Sequence, residues 1–379
     1  AGGSDAVQVL LDAGADVNDT VSDGQSALVI AAANAHWQLA DMLLDRGAEP
    51  NLAGAGWNAL HQAVRTRRPN TGFGTPGPIP TGTLESIEVI KKMIGKGVHI
   101  NARMTKDGMK DGQRNRLIRT GATAFLLAAK NTDTEVMRLL LTAGADAMIP
   151  NGEFTTPLMV AARTGVVDGV VSLLEHGADP LARESWMGQT ALMWAAAERH
   201  TSVVAPLVAG GAEVDSRSDA GFTPLMFATR LGHIETVDAL LDAGADIHQT
   251  LPDGTSPLVV AVINAHYDLG VRLLERGADP NAAEQGWTAL HQLVWTRRPN
   301  TNKNQHNPSP LQSGRVTDLE LVKALVSRGA DVNARQTKEP QDGYRNMLNR
   351  VDATPFLLSA KVVDLELMRL LLDLGADPL

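Results

Sequence analysis

Residues 155–181 read TTPLMVAARTGVVDGVVSLLEHGADPL, and the signals in them are local and physical. Thr before Pro is a helix start: the hydroxyl caps free backbone amides while proline occupies the first turn without wasting a donor. The glycine of Gly-Ala-Asp is a helix end, because it supplies a left-handed conformation that a residue with a Cβ resists. The stretch therefore predicts two short helices, the second closed by Gly177.

The same template returns as GQSALVIAAANAHWQLADMLLDRGAEPN (24–51), QTALMWAAAERHTSVVAPLVAGGAEVD (189–215), FTPLMFATRLGHIETVDALLDAGADIH (222–248) and TSPLVVAVINAHYDLGVRLLERGADPN (255–281). In each, nineteen residues separate the leucine of the T-P-L position from the glycine of G-A-D. ALVIAAA reads as a helix with small residues on one side, so that a neighbour can approach closely, and ADMLLDRG as its antiparallel partner, apolar at helical spacing. Asp and Asn with Gly between repeats make a tight turn that projects as a finger.

Thr156-Pro157-Leu158, Thr223-Pro224-Leu225 and the recurring Gly-Ala-Asp resemble the ankyrin repeat. The resemblance implies an all-α ankyrin-repeat solenoid: nine full helix-turn-helix repeats and a partial N-terminal one, with β-hairpin fingers, stable through nearest-neighbour contacts. The expected divisions are a partial repeat at 1–18, then 19–51, 52–101, 102–148, 149–181, 182–215, 216–248, 249–281, 282–333 and 334–379.

Two repeats break the spacing. Leu60 reaches Gly97 only after thirty-seven residues and Leu290 reaches Gly329 after thirty-nine, so each carries an insertion between its helices, at about 69–84 and 299–316. The following finger is stretched as well, at 102–120 and 334–351. GWNALHQAVRTRRPN (56–70) and GWTALHQLVWTRRPN (286–300), identical at twelve of fifteen positions, mark the same place in a higher-order unit of six repeats. In both, Arg67 and Arg68, or their counterparts, suit the negative end of the first helix and proline stops it; an anion site built by the arginine pair is the alternative. The loops TGFGTPGPIPTG (71–82) and TNKNQHNPSPLQSG (301–314) keep their place but not their chemistry. The finger extensions keep their residues: Arg103, Thr105, Lys106, Asp111, Gly112, Arg114, Asn115, Leu117 and Arg119 return as Arg335, Thr337, Lys338, Asp342, Gly343, Arg345, Asn346, Leu348 and Arg350. Asp-Gly is a turn signal, so an extended β-hairpin is expected in each.

The chain has 379 residues, a net charge of -9 and no cysteine. An acidic surface argues against general affinity for nucleic acid or anionic membranes. The absence of cysteine removes disulfides and thiolate zinc sites. No apolar run is long enough for membrane insertion, and the first residues carry no basic segment followed by an apolar one. GFGTPG (72–77) fits the phosphate-cradle pattern, but it follows a helix, contains prolines and has no glycines at its counterpart, so nucleotide binding is not expected. His61 and His291 sit in the T-x-L-H position, where the resemblance implies a bond to the neighbouring finger backbone; His36, His233 and His266 open second helices. Nothing implies a cofactor, a metal or a catalytic residue. An enzyme assembled from several repeats would leave no local motif and stays as a third reading.

Ankyrin-like stacks bind with their finger tips and the exposed side of the first helix. Counting from the T-P-L leucine, that groove is lined by Trp57, Trp186, Phe222, Trp287 and Trp295, with Arg65, Arg163 and Arg230. Five of the fourteen aromatics of the chain fall there, and aromatics and arginine are what binding hot spots favour. Trp37, Trp194 and Tyr267 follow packing patterns instead. Between Arg103 and Arg119 six basic residues face two acidic ones. Arg103, Lys106 and Arg114, with Arg335, Lys338 and Arg345, therefore form two basic islands that could hold an acidic partner or pair with neighbouring aspartates. At roughly 10 Å per repeat, by analogy with helix packing, they would lie on the order of 60 Å apart, which suits a multivalent protein or peptide partner. The last repeat is more apolar than its internal twin, with Leu365 for Thr134 and Leu374 for Ala143. That leaves two readings, a piece of a longer protein or head-to-tail self-association into a filament. The chain also resembles long bacterial ankyrin-repeat proteins, some of them exported, which leans toward an extracytoplasmic place.

Overall fold

The computed structural model describes residues 2–67, 78–107, 118–297, 312–339 and 350–378. Among these described residues helix α1 (Gly2–Asp12) precedes nine helix pairs. They are α2 (Ala27–Ala33) with α3 (Trp37–Asp45), α4 (Ala59–Arg67) with α5 (Ser86–Gly95), α6 (Ala124–Lys130) with α7 (Thr134–Thr142), and α8 (Pro157–Thr164) with α9 (Val167–Glu175). Then follow α10 (Ala191–Ala197) with α11 (Val204–Ala209), α12 (Pro224–Arg230) with α13 (Ile234–Asp242), α14 (Pro257–Ile263) with α15 (Tyr267–Glu275), α16 (Ala289–Arg297) with α17 (Asp318–Ser327), and α18 (Pro355–Lys361) with α19 (Leu365–Asp373). Contacts divide the chain into two compact units, Ala1–Ala191 with Ala209–Ala212, and Leu192–Val208 with Glu213–Leu379.

The helix starts are capped as the Thr/Ser-Pro signal requires. Thr223 Oγ1 accepts from Met226 N at 3.3 Å, Ser256 Oγ from Val259 N at 3.3 Å and Thr156 Oγ1 from Met159 N at 3.2 Å. In the first unit α2 packs on α4, α4 on α6 and α6 on α8; in the second, α12, α14, α16 and α18 follow one another in the same way. Small residues permit this: Ala32, Ala63, Ala128 and Ala162 in the first unit, with Ala228 and Ala261 in the second, are completely buried. Leu43, Met93, Leu140 and Leu173 seal the first unit from the second helices, and Leu240, Leu273 and Leu325 the other. Burying one such side chain contributes roughly 2 kcal/mol.

Asparagine does more than turn the chain. Asn51 Nδ2 donates to the carbonyl of Gly97 at 3.1 Å, and its Oδ1 accepts from His99 N at 2.6 Å. Asn281 repeats this on Gly329 (2.8 Å) and Asp331 N (2.7 Å), as do Asn101 and Asn333 one repeat further on. In these repeats one side chain thus ties a second-helix end to the preceding turn.

The fingers are shorter than β-hairpins. Most close over one backbone pair, as in Val21 N to Gln25 O at 3.0 Å and Leu251 N to Thr255 O at 2.9 Å. Among the described residues the only formal β pairing is the single bridge Thr20–Ser26. The return limb enters the next helix within two residues, which leaves no length for a strand. Four residues before the T-P-L leucine, all nine fingers have a positive φ; seven place glycine there and the others place Phe154 (φ 58°) and Asp352 (φ 65°).

Candidate interaction surface

The repeated TRRPN element resolves into a clamp. Arg67 ends α4 as expected, and its guanidinium reaches beyond its own helix. Its Nε donates to Asp133 Oδ2 at 2.8 Å, one terminal nitrogen donates to Ser86 Oγ at 2.9 Å and the other pairs with Glu135. Arg297 does the same in the second unit, with Asp364 at 2.6 Å and with Asp318 and Glu366. Asp133 and Asp364 are buried and also cap α7 and α19, each accepting with Oδ1 from a backbone N–H, Val136 and Leu367. Each clamp joins three elements around the point where the insertion leaves. Arg68, Pro69 and the GFGTPG stretch lie outside the described residues.

The returning stem of each insertion is pinned separately, on the repeat before it. His36 Nδ1 lies 2.9 Å from Thr81 Oγ1, and His266 Nδ1 lies 2.6 Å from Ser313 Oγ. The next residue is glycine in both, because a Cβ on Gly82 would overlap the Gln38 amide and one on Gly314 the Asp268 carboxylate. Asp268 also accepts from the backbone N–H groups of Arg315 and Val316, both at 3.1 Å.

His61 and His291 hold the stretched fingers. His61 Nε2 donates to the carbonyl of Ala102 at 3.0 Å and its Nδ1 lies 2.6 Å from the Asn58 amide. His291 Nε2 donates to Ala353 at 3.1 Å and its Nδ1 lies 2.8 Å from Thr288 Oγ1. Burial pushes both imidazoles down to about 4, outweighing the backbone bonds that favour the charged form. Burial also pushes the Tyr267 hydroxyl up to about 12.

The basic islands divide by side chain. Arg103 donates to the carbonyls of Gly121 (3.0 Å) and Pro150 (2.8 Å), and Arg335 to Asp352 at 3.4 Å. Lys338 donates to the carbonyl of Glu284 at 2.7 Å, and its stem lies against Gly286; the Lys106 stem lies against Gly56 in the same way. Arg103 and Lys338 thus fasten the extended finger to a neighbouring repeat through backbone carbonyls, a use that neither sequence alternative contained. At the finger base Met104 pairs with Ala122 and Gly121, and Gln336 with Ala353 and Asp352. Asp107 and Glu339 accept from the backbone N–H groups of Arg119 (2.9 Å) and Arg350 (2.7 Å). Arg114 and Arg345, with the hairpin tips, lie outside the described residues.

The groove aromatics gather most closely in the second unit. Trp287 meets Trp295 edge to face at 5.6 Å, its indole N–H donating to Gln292 Oε1 at 3.1 Å. The Arg350 guanidinium stands 5.2 Å from the Trp295 ring. Two repeats earlier in the same unit, Phe222 contacts Phe227 at 5.4 Å, with Arg230 over its ring at 5.8 Å. Trp57, Trp287, Trp295 and Phe222 are half-buried, so each ring keeps one part in packing and another in water. In the first unit Arg65 and Arg163 are half-buried on α4 and α8, and Trp186 is 80% exposed on its finger. Trp37 and Tyr267 are buried as their pattern predicts. The sequence reading missed Phe154, 60% exposed on the finger before Trp186. Its signal was a non-glycine residue at a position where seven of nine fingers carry glycine.

The second helices present different chemistry. Lys92 pairs with Asp41 (2.6 Å) and Asp45 (2.8 Å), and Arg276 with Asp238 (2.9 Å) and Asp242 (2.6 Å). Such exposed pairs contribute about 0.2–1 kcal/mol each and satisfy that face internally. Among the described residues no cluster of His, Asp and Glu is arranged to hold a metal, and no helix is long and apolar enough to cross a membrane.

Paired short helices, a glycine at each second-helix end and a recurring asparagine tie between successive turns define a helical repeat protein. The chain belongs to the ankyrin-repeat family: the family model "Ankyrin repeats (3 copies)" matches residues 1–71, 83–184 and 182–250, and "Ankyrin repeats (many copies)" matches 258–301. The matches break off at both insertions. Among curated proteins, the chain is similar to the nuclear factor NF-kappa-B p105 subunit of Gallus gallus, 32% identical over 182 residues, and to the E3 ubiquitin-protein ligase KEG of Arabidopsis thaliana, 26% identical over 196. Each alignment covers 47% of this chain, but only 15% and 12% of the relatives' lengths. Ankyrin repeats are generally protein-interaction scaffolds.

Proposed function

We propose that the chain is a non-catalytic scaffold that binds a protein or peptide along the surface formed by its fingers and first helices, with the extended fingers adding selectivity. The observation that carries this reading is the presence in the second unit of two groupings, Trp287 and Trp295 with Arg350, and Phe222 with Arg230, in which half-buried aromatic rings stand against guanidinium groups. Aromatic and arginine side chains combine large contact area with planar hydrogen bonding, and they dominate interface energetics. The charged pairs of the second helices already satisfy one another. Affinity capture with the wild-type chain against a W57A/W287A/W295A variant is expected to lose most of the specifically retained protein; equal recovery by both sinks the groove assignment.

A second reading, head-to-tail self-association, is favoured by one observation. Leu357, Val363 and Leu365 are 50%, 65% and 56% exposed on the last helix pair, and Val9 and Leu10 are 66% and 59% exposed on α1. The positions that match Leu357 in the preceding pairs of the second unit, Val259 on α14 and His291 on α16, are buried. Light scattering across a hundredfold range of concentration decides it: growth of the particle supports assembly, and a constant monomer mass removes it.

A further inference from the structure

We infer that Phe154 and Trp186 are a rigid two-knob anchor for a folded protein partner that carries apolar pockets. This rests on the protein-binding reading above and names the part of the surface and the class of partner. The first observation is a side chain in the wrong place for stability. Phe154 occupies the left-handed finger position with φ 58°, where a bulky residue is strained and where glycine stands in seven of the nine fingers. Being 60% exposed, it recovers little by packing. Strain held in a well-supported turn is characteristic of binding surfaces.

The support is specific. Asn151, nearly fully buried, accepts with Oδ1 from the N–H groups of Glu153 (3.0 Å) and Thr155 (2.9 Å) and donates to the carbonyl of Ile118 at 2.7 Å. Phe154 N donates to the carbonyl of Asn151 at 3.2 Å. On the next finger the buried Glu184 carboxylate collects the N–H groups of Trp186 (2.6 Å), Met187 (3.1 Å) and Gln189 (2.9 Å). The two fingers are joined one residue before each aromatic, Ser185 N and Oγ both donating to the carbonyl of Glu153 at 3.0 and 3.1 Å. Both turns are thus fixed before any partner arrives, which lowers the ordering cost of association.

The geometry also selects the occupant. At 80% and 60% exposure, the two rings hold on the order of 300 Å² in water, the size of patch that is often functional on a monomer. That is less than half of the roughly 800 Å² per partner that a stable interface buries, so the two rings are the anchor within a wider contact and do not by themselves hold a second copy of this chain. Knobs that protrude need pockets to receive them, and hot-spot aromatics act in enclosed, desolvated pockets; a folded domain provides these and an extended peptide does not. The net charge of -9 disfavours an anionic bilayer.

The test selects binders to the wild-type chain from a displayed library of folded single domains and from a library of linear peptides, then measures them on Phe154→Gly and Trp186→Ala. The expected result is that folded-domain clones predominate and lose about tenfold or more in affinity on each variant, while Phe154→Gly melts no lower than wild type because glycine relieves the strain. Folded-domain clones indifferent to both substitutions overturn the anchor and leave the scaffold reading standing. Predominance of linear peptides overturns the partner class, and no clones from either library removes both readings. Melting of Phe154→Gly several degrees below wild type makes the ring structural. A blue shift of tryptophan emission with phosphatidylcholine vesicles, lost in Trp186→Ala, assigns the knobs to a lipid surface instead.

Discussion

Arg297→Ala is expected to lose about 3–5 kcal/mol of stability in urea unfolding, because it removes the guanidinium that pairs with the buried carboxylate of Asp364. The magnitude follows from burial: the side chains of Arg297 and Asp364 are 12% and 1% exposed, and the same guanidinium also neutralises Asp318 and Glu366. Asp364→Asn in the Arg297→Ala background is expected to recover at least about 1 kcal/mol, since Asn keeps the cap on Leu367 and removes the buried negative charge. If the double variant is no more stable than the single one, charge burial is not the cause of the loss. Arg67→Ala in the first unit is expected to behave alike, with Asp133 and Glu135 as the abandoned partners.

The second large effect is a pH dependence centred on two histidines. Burial lowers His61 and His291 from 6.5 to about 4 in the folded chain, so between these values the unfolded chain takes up protons that the folded one refuses. Stability is therefore complete above about pH 6.5 and declines as the pH falls toward 4, by about 3 kcal/mol for each imidazole. Unfolding midpoints measured from pH 7.5 to 4.5 should fall steeply in wild type. His61→Gln and His291→Gln, which gain no proton, should start lower at pH 7.5 and lose less. An unchanged slope in the double variant would assign the acid sensitivity to carboxylates.

Most of the fold was legible because its determinants are local. A Thr-Pro cap, a glycine at a helix end and an apolar face all act within one turn of the chain, so TTPL and GAD specify their helices without reference to distant residues. The interaction surface was half legible. Trp57, Trp186, Phe222, Trp287 and Trp295 are recoverable from their offset to the T-P-L leucine, which fixes the side of the helix or finger they occupy. Arg67 was placed at its helix end, but its clamp was not legible because its partners lie 66 and 68 residues away in the next repeat. Arg103 and Lys338 looked like a charged patch, whereas their hydrogen bonds go to backbone carbonyls, which composition cannot reveal. Phe154 was overlooked because hydrophobic patterning rewards regularity, and its information lies in an exception to a glycine rule.

The separate fastening of the two ends of each insertion has a practical corollary. With Arg67 holding the exit and Thr81 held by His36 on the return, each end of the insertion is fastened by residues outside the stretch between them. The two native inserts share almost no sequence and differ in length, as interchangeable fittings on a common socket would. Residues 71–77 and 301–308 are accordingly the places to graft a foreign epitope, a metal-binding peptide or a small domain, with the repeats on either side keeping their own register.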